Sequence, residues 1–202
     1  MQNNKFLKVT WLALVLLISN YAAKASATDT LKLGQRVIGF NLHNVVEGEK
    51  SQVSLEDYQN KKGVIVVFMT NGCYHCILYR ERIKAFQKDY AAKGYQLITI
   101  NPSNPTYAKE ETTEEMIKNA KKEKYDFPYL QDLDQKIAYA YGVRYTPEVF
   151  VLKREGKDWF LKYSGPIDND MENKKKDKIS YVKNVMKALL SNQKVPEYDV
   201  IK

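Results

Sequence analysis

The chain has 202 residues, with 32 Lys and Arg against 24 Asp and Glu, a net charge of +8 and only two cysteines. That length suits one domain with a proper core, and such a chain needs no disulfide to fold. The excess charge does not indicate nucleic acid. Lys174, Lys175, Lys176 and Lys178 cluster without aromatic or glycine interleaving, so they read as a solvated loop before the last helix.

Met1 to Lys8 carries Lys5 and Lys8 and no acid, and Val9 to Ile18 is apolar. Small residues follow, ending Ala25-Ser26-Ala27. This is the pattern of a secretory signal cleaved after Ala27. The apolar run is shorter than the roughly 20 residues a membrane span needs. The expected organisation is therefore a signal peptide, residues 1–27, and a single domain, residues 28–202. The expected address is periplasmic or secreted, with no stable membrane insertion after cleavage.

Val37 to Val46 alternates loosely, as a strand, and Ser54 with Asp57 fits a capped helical turn. Gly63 to Thr70 (GVIVVFMT) is apolar on both faces and predicts a central, doubly covered strand. From Tyr74 to Ala91, Cys76, Ile83, Phe86 and Tyr90 recur at helical spacing, and Gly94 stands at the stop. Tyr95 to Ile100 (YQLITI) is a second strand, so a parallel βαβ unit is expected. A polar loop with Pro102 and Pro105 precedes an exposed helix over Glu114 to Lys124. Then come a strand at Phe127 to Leu130 and a helix at Gln135 to Tyr141. Glu148 to Lys153 and Lys157 to Tyr163 flank the Gly156 turn as an antiparallel hairpin. Ile179, Val182, Met186 and Leu189 stripe a last helix. The order is that of an α/β fold with a mixed sheet.

Both cysteines lie in TNGCYHC, as Cys73 and Cys76. A structural staple closing about four residues would contribute only about 2 kcal/mol in the chain-entropy model. Zinc wants four ligands, and the remaining candidates are His43 and His75. No second CxxC accompanies them, so no metal is expected. The redox reading has a positive argument. Cys73 falls at a helix N-terminus, where orphan N–H groups and the helix dipole favour an anion, here a thiolate. His75 beside it would tune that thiolate. Cys76, one turn in, is on the apolar face, and a sheltered thiol suits the resolution of a mixed disulfide.

From these residues the chain resembles the thioredoxin-fold redoxin superfamily, in its peroxiredoxin-like (alkyl hydroperoxide reductase/thiol-specific antioxidant) branch. FNLHNVVEGEKSQVSLEDYQNKKGVIVVFM, CYHC, AYGVRYTPEVFVLKREGK and GPIDND carry the resemblance, which spans roughly Leu33 to Gln193. It implies a thioredoxin-like fold: a mixed central sheet flanked by helices, with an N-terminal β extension and an inserted helix. It also implies a cis Thr146–Pro147 bond beside the CxxC loop, with Thr146 and Pro147 positioning the substrate. The implied activity is thiol–disulfide exchange through Cys73 and Cys76, with no cofactor. The implied partners are protein thiol or disulfide substrates and a redox partner protein.

There are departures. Val67 stands where thioredoxins bury an acid, Gly72 replaces their Trp, and Tyr74-His75 replaces Gly-Pro. Glu81 and Glu148 are the candidates for a base. A thiol peroxidase is the alternative: Thr70 matches its motif, Val66 stands where its Pro should be, and Arg144 would have to hold the peroxide. A secreted binding module with a merely structural disulfide is the third reading.

Overall fold

The computed structural model describes residues 31–198, so the expected signal segment lies outside the described residues. Within them one sheet contains β1 (Asn41–Asn44), β2 (Gln52–Ser54), β3 (Gly63–Phe68), β4 (Tyr95–Asn101), β5 (Tyr129–Gln131), β6 (Glu148–Glu155) and β7 (Asp158–Gly165). The helices are α1 (Tyr74–Tyr90), α2 (Thr113–Glu123), α3 (Lys136–Tyr141) and α4 (Tyr181–Leu190). The strand order is β2-β1-β5-β4-β3-β6-β7.

β3 occupies the interior of this sheet because every side chain from Val64 to Phe68 is apolar and buried. It runs parallel to β4, which in turn runs parallel to β5. β6 is antiparallel to β3, with Phe68 opposite Glu148. Alternation along β3 divides the core. Ile65 and Val67 face α1, α2 and α4 through Ile83, Phe86, Met116, Val182 and Met186. Val64, Val66 and Phe68 face α3 and the N-terminal segment through Tyr141, Val37, Phe40 and Leu55. Each such fully buried side chain is worth about 1.5–3 kcal/mol. A register shift between Val151 and Leu152 lets β7 serve both layers: Trp159 and Leu161 pack on the α3 side and Tyr163 on the α1 side.

This is the expected thioredoxin-like architecture, with β1–β2 as the N-terminal extension and α2 as the inserted helix. Ser54 caps its turn, accepting from the Glu56 N–H at 3.1 Å while its own N–H reaches Asp57 Oδ2 at 2.8 Å. Three details differ. The first strand is shorter than Val37 to Val46, because Arg36 and Val37 lie against β7 at the opposite edge of the sheet, where the Val37 N–H bonds the Trp159 carbonyl. β2, a half-polar edge strand, is additional. Ile179 precedes α4 and is 42% exposed, its N–H held by Asn169 Oδ1 at 2.8 Å, and Val185 takes its place in the stripe.

Gly63 stands opposite Tyr95 of β4 and Lys153 of β6, and a Cβ there would collide with the Tyr95 ring and the Leu152 carbonyl. Gly63→Ala should therefore lower stability by about 1–3 kcal/mol. A urea titration should show a lower midpoint at unchanged slope. An unaltered midpoint would mean that the three strands can part without loss.

Candidate active site

β3 ends at Phe68, and the Met69 N–H bonds the Ile100 carbonyl at 2.9 Å, so the chain leaves the sheet at a fixed point. Thr70 to Gly72 turn it, and Cys73 becomes the N-cap of α1 with an extended backbone. Its sulfur accepts the Cys76 N–H at 3.2 Å. A cap normally satisfies one of the orphan donors of a helix with oxygen. Here a thiol does it, and the amide points at the atom where negative charge would form.

Both cysteines are free thiols. Cys73 is half-buried, whereas Cys76 is 2% exposed under the first turn. Burial, and after it the neighbouring Cys73 sulfur, push the Cys76 thiol far above its ordinary value. Hydrogen bonds from the Thr70 backbone and the Thr146 side chain only partly offset this.

Opposite the dithiol, the Thr146–Pro147 peptide is cis, and the Cys73 thiol reaches the Thr146 carbonyl at 3.3 Å. Thr146 and Pro147 therefore border Cys73 although 73 positions separate the two segments. His75 is exposed, its ring 6.0 Å from that of Tyr74, and among the described residues no hydrogen bond joins it to either sulfur.

Neither candidate base lies at Cys76. Glu81 is on the outer face of α1, paired with Lys84 at 3.1 Å. Glu148 is fully buried, but alternation along β6 turns it with Phe150 away from the layer that holds Cys76. It binds Arg144 instead, through the guanidinium at 2.7 Å and the backbone N–H at 2.9 Å. Arg144 is thus committed to shaping the segment before the cis peptide.

The residues that sequence reasoning missed lie beneath the turn. Glu111, 2% exposed, precedes α2. Its Oε1 accepts the Gly72 N–H at 2.7 Å, and its Oε2 accepts the Asn71 N–H at 2.9 Å and Asn101 Nδ2 at 2.7 Å. The Tyr129 hydroxyl donates to Asn71 Oδ1 at 3.0 Å and accepts from Asn101 Nδ2 at 3.1 Å. Asn119 of α2 also donates to Asn71 Oδ1, at 2.8 Å. Just after Glu111, Thr112 accepts the Glu115 N–H and so fixes where α2 starts.

On the far side, Asp168 accepts Tyr79 at 2.9 Å and Arg82 at 2.7 Å. Arg82 continues to the Asp170 and Met171 carbonyls, and Asp170 accepts the Lys175 N–H at 2.6 Å. The lysine cluster is therefore an exposed loop, anchored to α1 from below.

A mixed sheet of this order, carrying a free dithiol at a helix N-terminus beside a cis-proline loop, is the arrangement of a thioredoxin-fold redoxin. The AhpC/TSA family profile matches residues 33–157. The chain belongs to the AhpC/TSA family and is an oxidoreductase of the redoxin kind. Among solved structures it is similar to a conserved protein of Geobacillus kaustophilus, at 28% identity and a TM-score of 0.76 over 85% of this chain and 89% of that one. A hypothetical protein of Sinorhizobium meliloti is similar at 30% identity and a TM-score of 0.74, over 85% and 91%. The exposed lipoprotein thioredoxin of Streptococcus pneumoniae is similar at 25% identity and a TM-score of 0.52, over 64% and 89%. No curated protein matches the chain.

The two thiols should differ in reactivity. Iodoacetamide should modify Cys73 at least about tenfold faster than Cys76 at neutral pH. In Cys73→Ser, Cys76 should still react slowly at about pH 9. An ordinary thiol is mostly ionised there, but one pushed up by burial is still protonated. Equal rates, followed by mass spectrometry, would show that Cys76 is not sheltered.

Proposed function

We propose that the chain is a thiol–disulfide oxidoreductase working outside the cytoplasm, with Cys73 as the exchanging sulfur and Cys76 as the resolving one. The observation that carries this reading is the asymmetry of the pair. One sulfur is accessible and faced by an N–H at 3.2 Å, and the other is buried one turn below it.

The exchange balances without any other reagent. The Cys73 thiolate attacks one sulfur of a substrate disulfide, forming a mixed disulfide and expelling the other sulfur as a thiolate. Cys76 then loses its proton and attacks Cys73 Sγ, forming the Cys73–Cys76 disulfide and releasing the second substrate thiolate. Two electrons pass to the substrate, and the two protons of the dithiol end on its thiols. The reverse sequence oxidises a substrate dithiol. The Thr146 backbone, beside Cys73, would align an extended substrate segment, and the exposed His75 tunes the couple from between the two cysteines.

The extracytoplasmic address draws on the signal-like Met1 to Ala27 segment and on the similarity to the pneumococcal protein, an exposed lipoprotein thioredoxin. Among the described residues no helix is long and apolar enough to cross a membrane. A protein substrate and a redox partner protein are the expected partners. Family membership and Thr70 speak for a thiol peroxidase. Against it stand Val66 in place of Pro and an Arg144 already bound by Glu148.

In an insulin-reduction assay, Cys73→Ser should lose activity by about 100-fold or more. Cys76→Ser should accumulate mixed disulfides that mass spectrometry can identify. Undiminished reduction by Cys73→Ser would sink the assignment. Stopped-flow oxidation by hydrogen peroxide at a rate far above that of free cysteine would favour the peroxidase instead.

A further inference from the structure

We propose that Glu111 is a positioning residue that sets the reduction potential of the Cys73–Cys76 couple, holding it more reducing than the helix N-terminus alone would make it. This rests on the exchange chemistry proposed above.

The first observation is burial without a counter-ion. The Glu111 carboxylate is 2% exposed, and among the described residues no Lys, Arg or His reaches it within ion-pair distance. It is held by N–H donors alone, from Asn71, Gly72 and Asn101. Such donors fill the lone pairs of a buried carboxylate. An acidic side chain is therefore stationed under the turn with no cation beside it among the described residues.

The second observation is which donors it uses. Asn71 and Gly72 immediately precede Cys73. Their amides lie just ahead of the α1 N-cap, on the turn that carries the Cys73 sulfur. Glu111 takes both. The third observation is reach. Tyr129, joined to Glu111 through Asn101, is held far above its ordinary value by burial and then by the Glu111 charge, with the Cys76 sulfur among its smaller electrostatic neighbours. The carboxylate and the sheltered sulfur thus bear on the same hydroxyl.

The two effects share a sign. A fixed negative charge disfavours a thiolate nearby. Occupied amides cannot stabilise one. Both make the reduced, thiolate-bearing form less favourable relative to the neutral disulfide, which lowers the potential. Removing the charge should release both effects together.

The test is the equilibrium of the purified chain with glutathione, in which the protein dithiol and oxidised glutathione give the protein disulfide and two molecules of glutathione. Glu111→Gln should shift this constant about tenfold toward the reduced protein, which is about 30 mV for a two-electron couple. Glu111→Asp, which keeps the charge, should lie nearer the native value. A Glu111→Gln constant within about twofold of native, in a chain that still exchanges, overturns the role of Glu111 and leaves the oxidoreductase reading intact. A native chain that forms no reversible disulfide with glutathione overturns both. Should Glu111→Gln fail to fold, the native chain still decides: the Glu111 carboxyl carbon resonance should move between dithiol and disulfide forms. An identical resonance in the two forms overturns the proposal.

Discussion

The hydrogen bond from the Cys76 amide to the Cys73 sulfur exists because β3 stops at Phe68 and α1 begins at Tyr74. The intervening turn is just long enough to make Cys73 the N-cap. Everything else at the site is arranged around that sulfur by the topology of the sheet. β4 runs parallel to β3, so its last residue, Asn101, and the loop after it emerge at the same end as the dithiol. β6 runs antiparallel, so its first residue, Glu148, lies opposite Phe68, and Pro147 precedes it there. Three segments far apart in sequence therefore converge at the carboxyl end of β3, where crevices form in sheets of this kind.

Buried carboxylates hold the chain at this end: Glu111 under Asn71 and Gly72, Glu148 on Arg144 ahead of the cis peptide, and, after β7, Asp168 on Arg82 and Tyr79 beneath the lysine loop. Buried charges are tolerated only with such partners, and a carboxylate with several lone pairs can hold several donors at once. The chain uses that property to fix loop geometry where apolar packing cannot reach. Two of the three carboxylates have a guanidinium partner, and among the described residues Glu111 has none.

The parts of this arrangement that depend on one local stretch were readable. GVIVVF is apolar at every position, so it could only be a covered strand, and the spacing of Cys76, Ile83, Phe86 and Tyr90 could only be one helix face. The hairpin followed from Gly156, and the N-cap position of Cys73 from the strand–turn–helix order. What stayed hidden was what long-range approach creates. Glu111 sits among Glu110, Glu114 and Glu115 in a polar stretch, and nothing in its neighbours distinguishes it. Its role appears only when β4 delivers Asn101 beside it and the CxxC turn closes above. β2 was hidden for the same reason, because a half-polar edge strand is defined by its partner rather than by its own pattern. Glu148 was misjudged because its position on the strand says buried but not which layer it faces.

The difference between the sulfurs constrains how an exchange cycle must end. Cys76 is protonated at neutral pH because burial keeps its thiol up, and the groups that touch it, the Thr70 backbone and the Thr146 side chain, are not bases. Glu81 and Glu148 are elsewhere. Under the proposed function, the first step has already expelled one substrate thiolate, and that thiolate is a proton acceptor generated within the site before Cys76 attacks. Resolution then becomes tied to the substrate sulfurs: the more basic their thiolates, the better the first accepts the proton, but the more slowly the second leaves. A buried resolving thiol with no resident base is therefore matched to substrates whose thiols have near-ordinary acidity. That match follows from the burial of a single side chain under the first turn of α1.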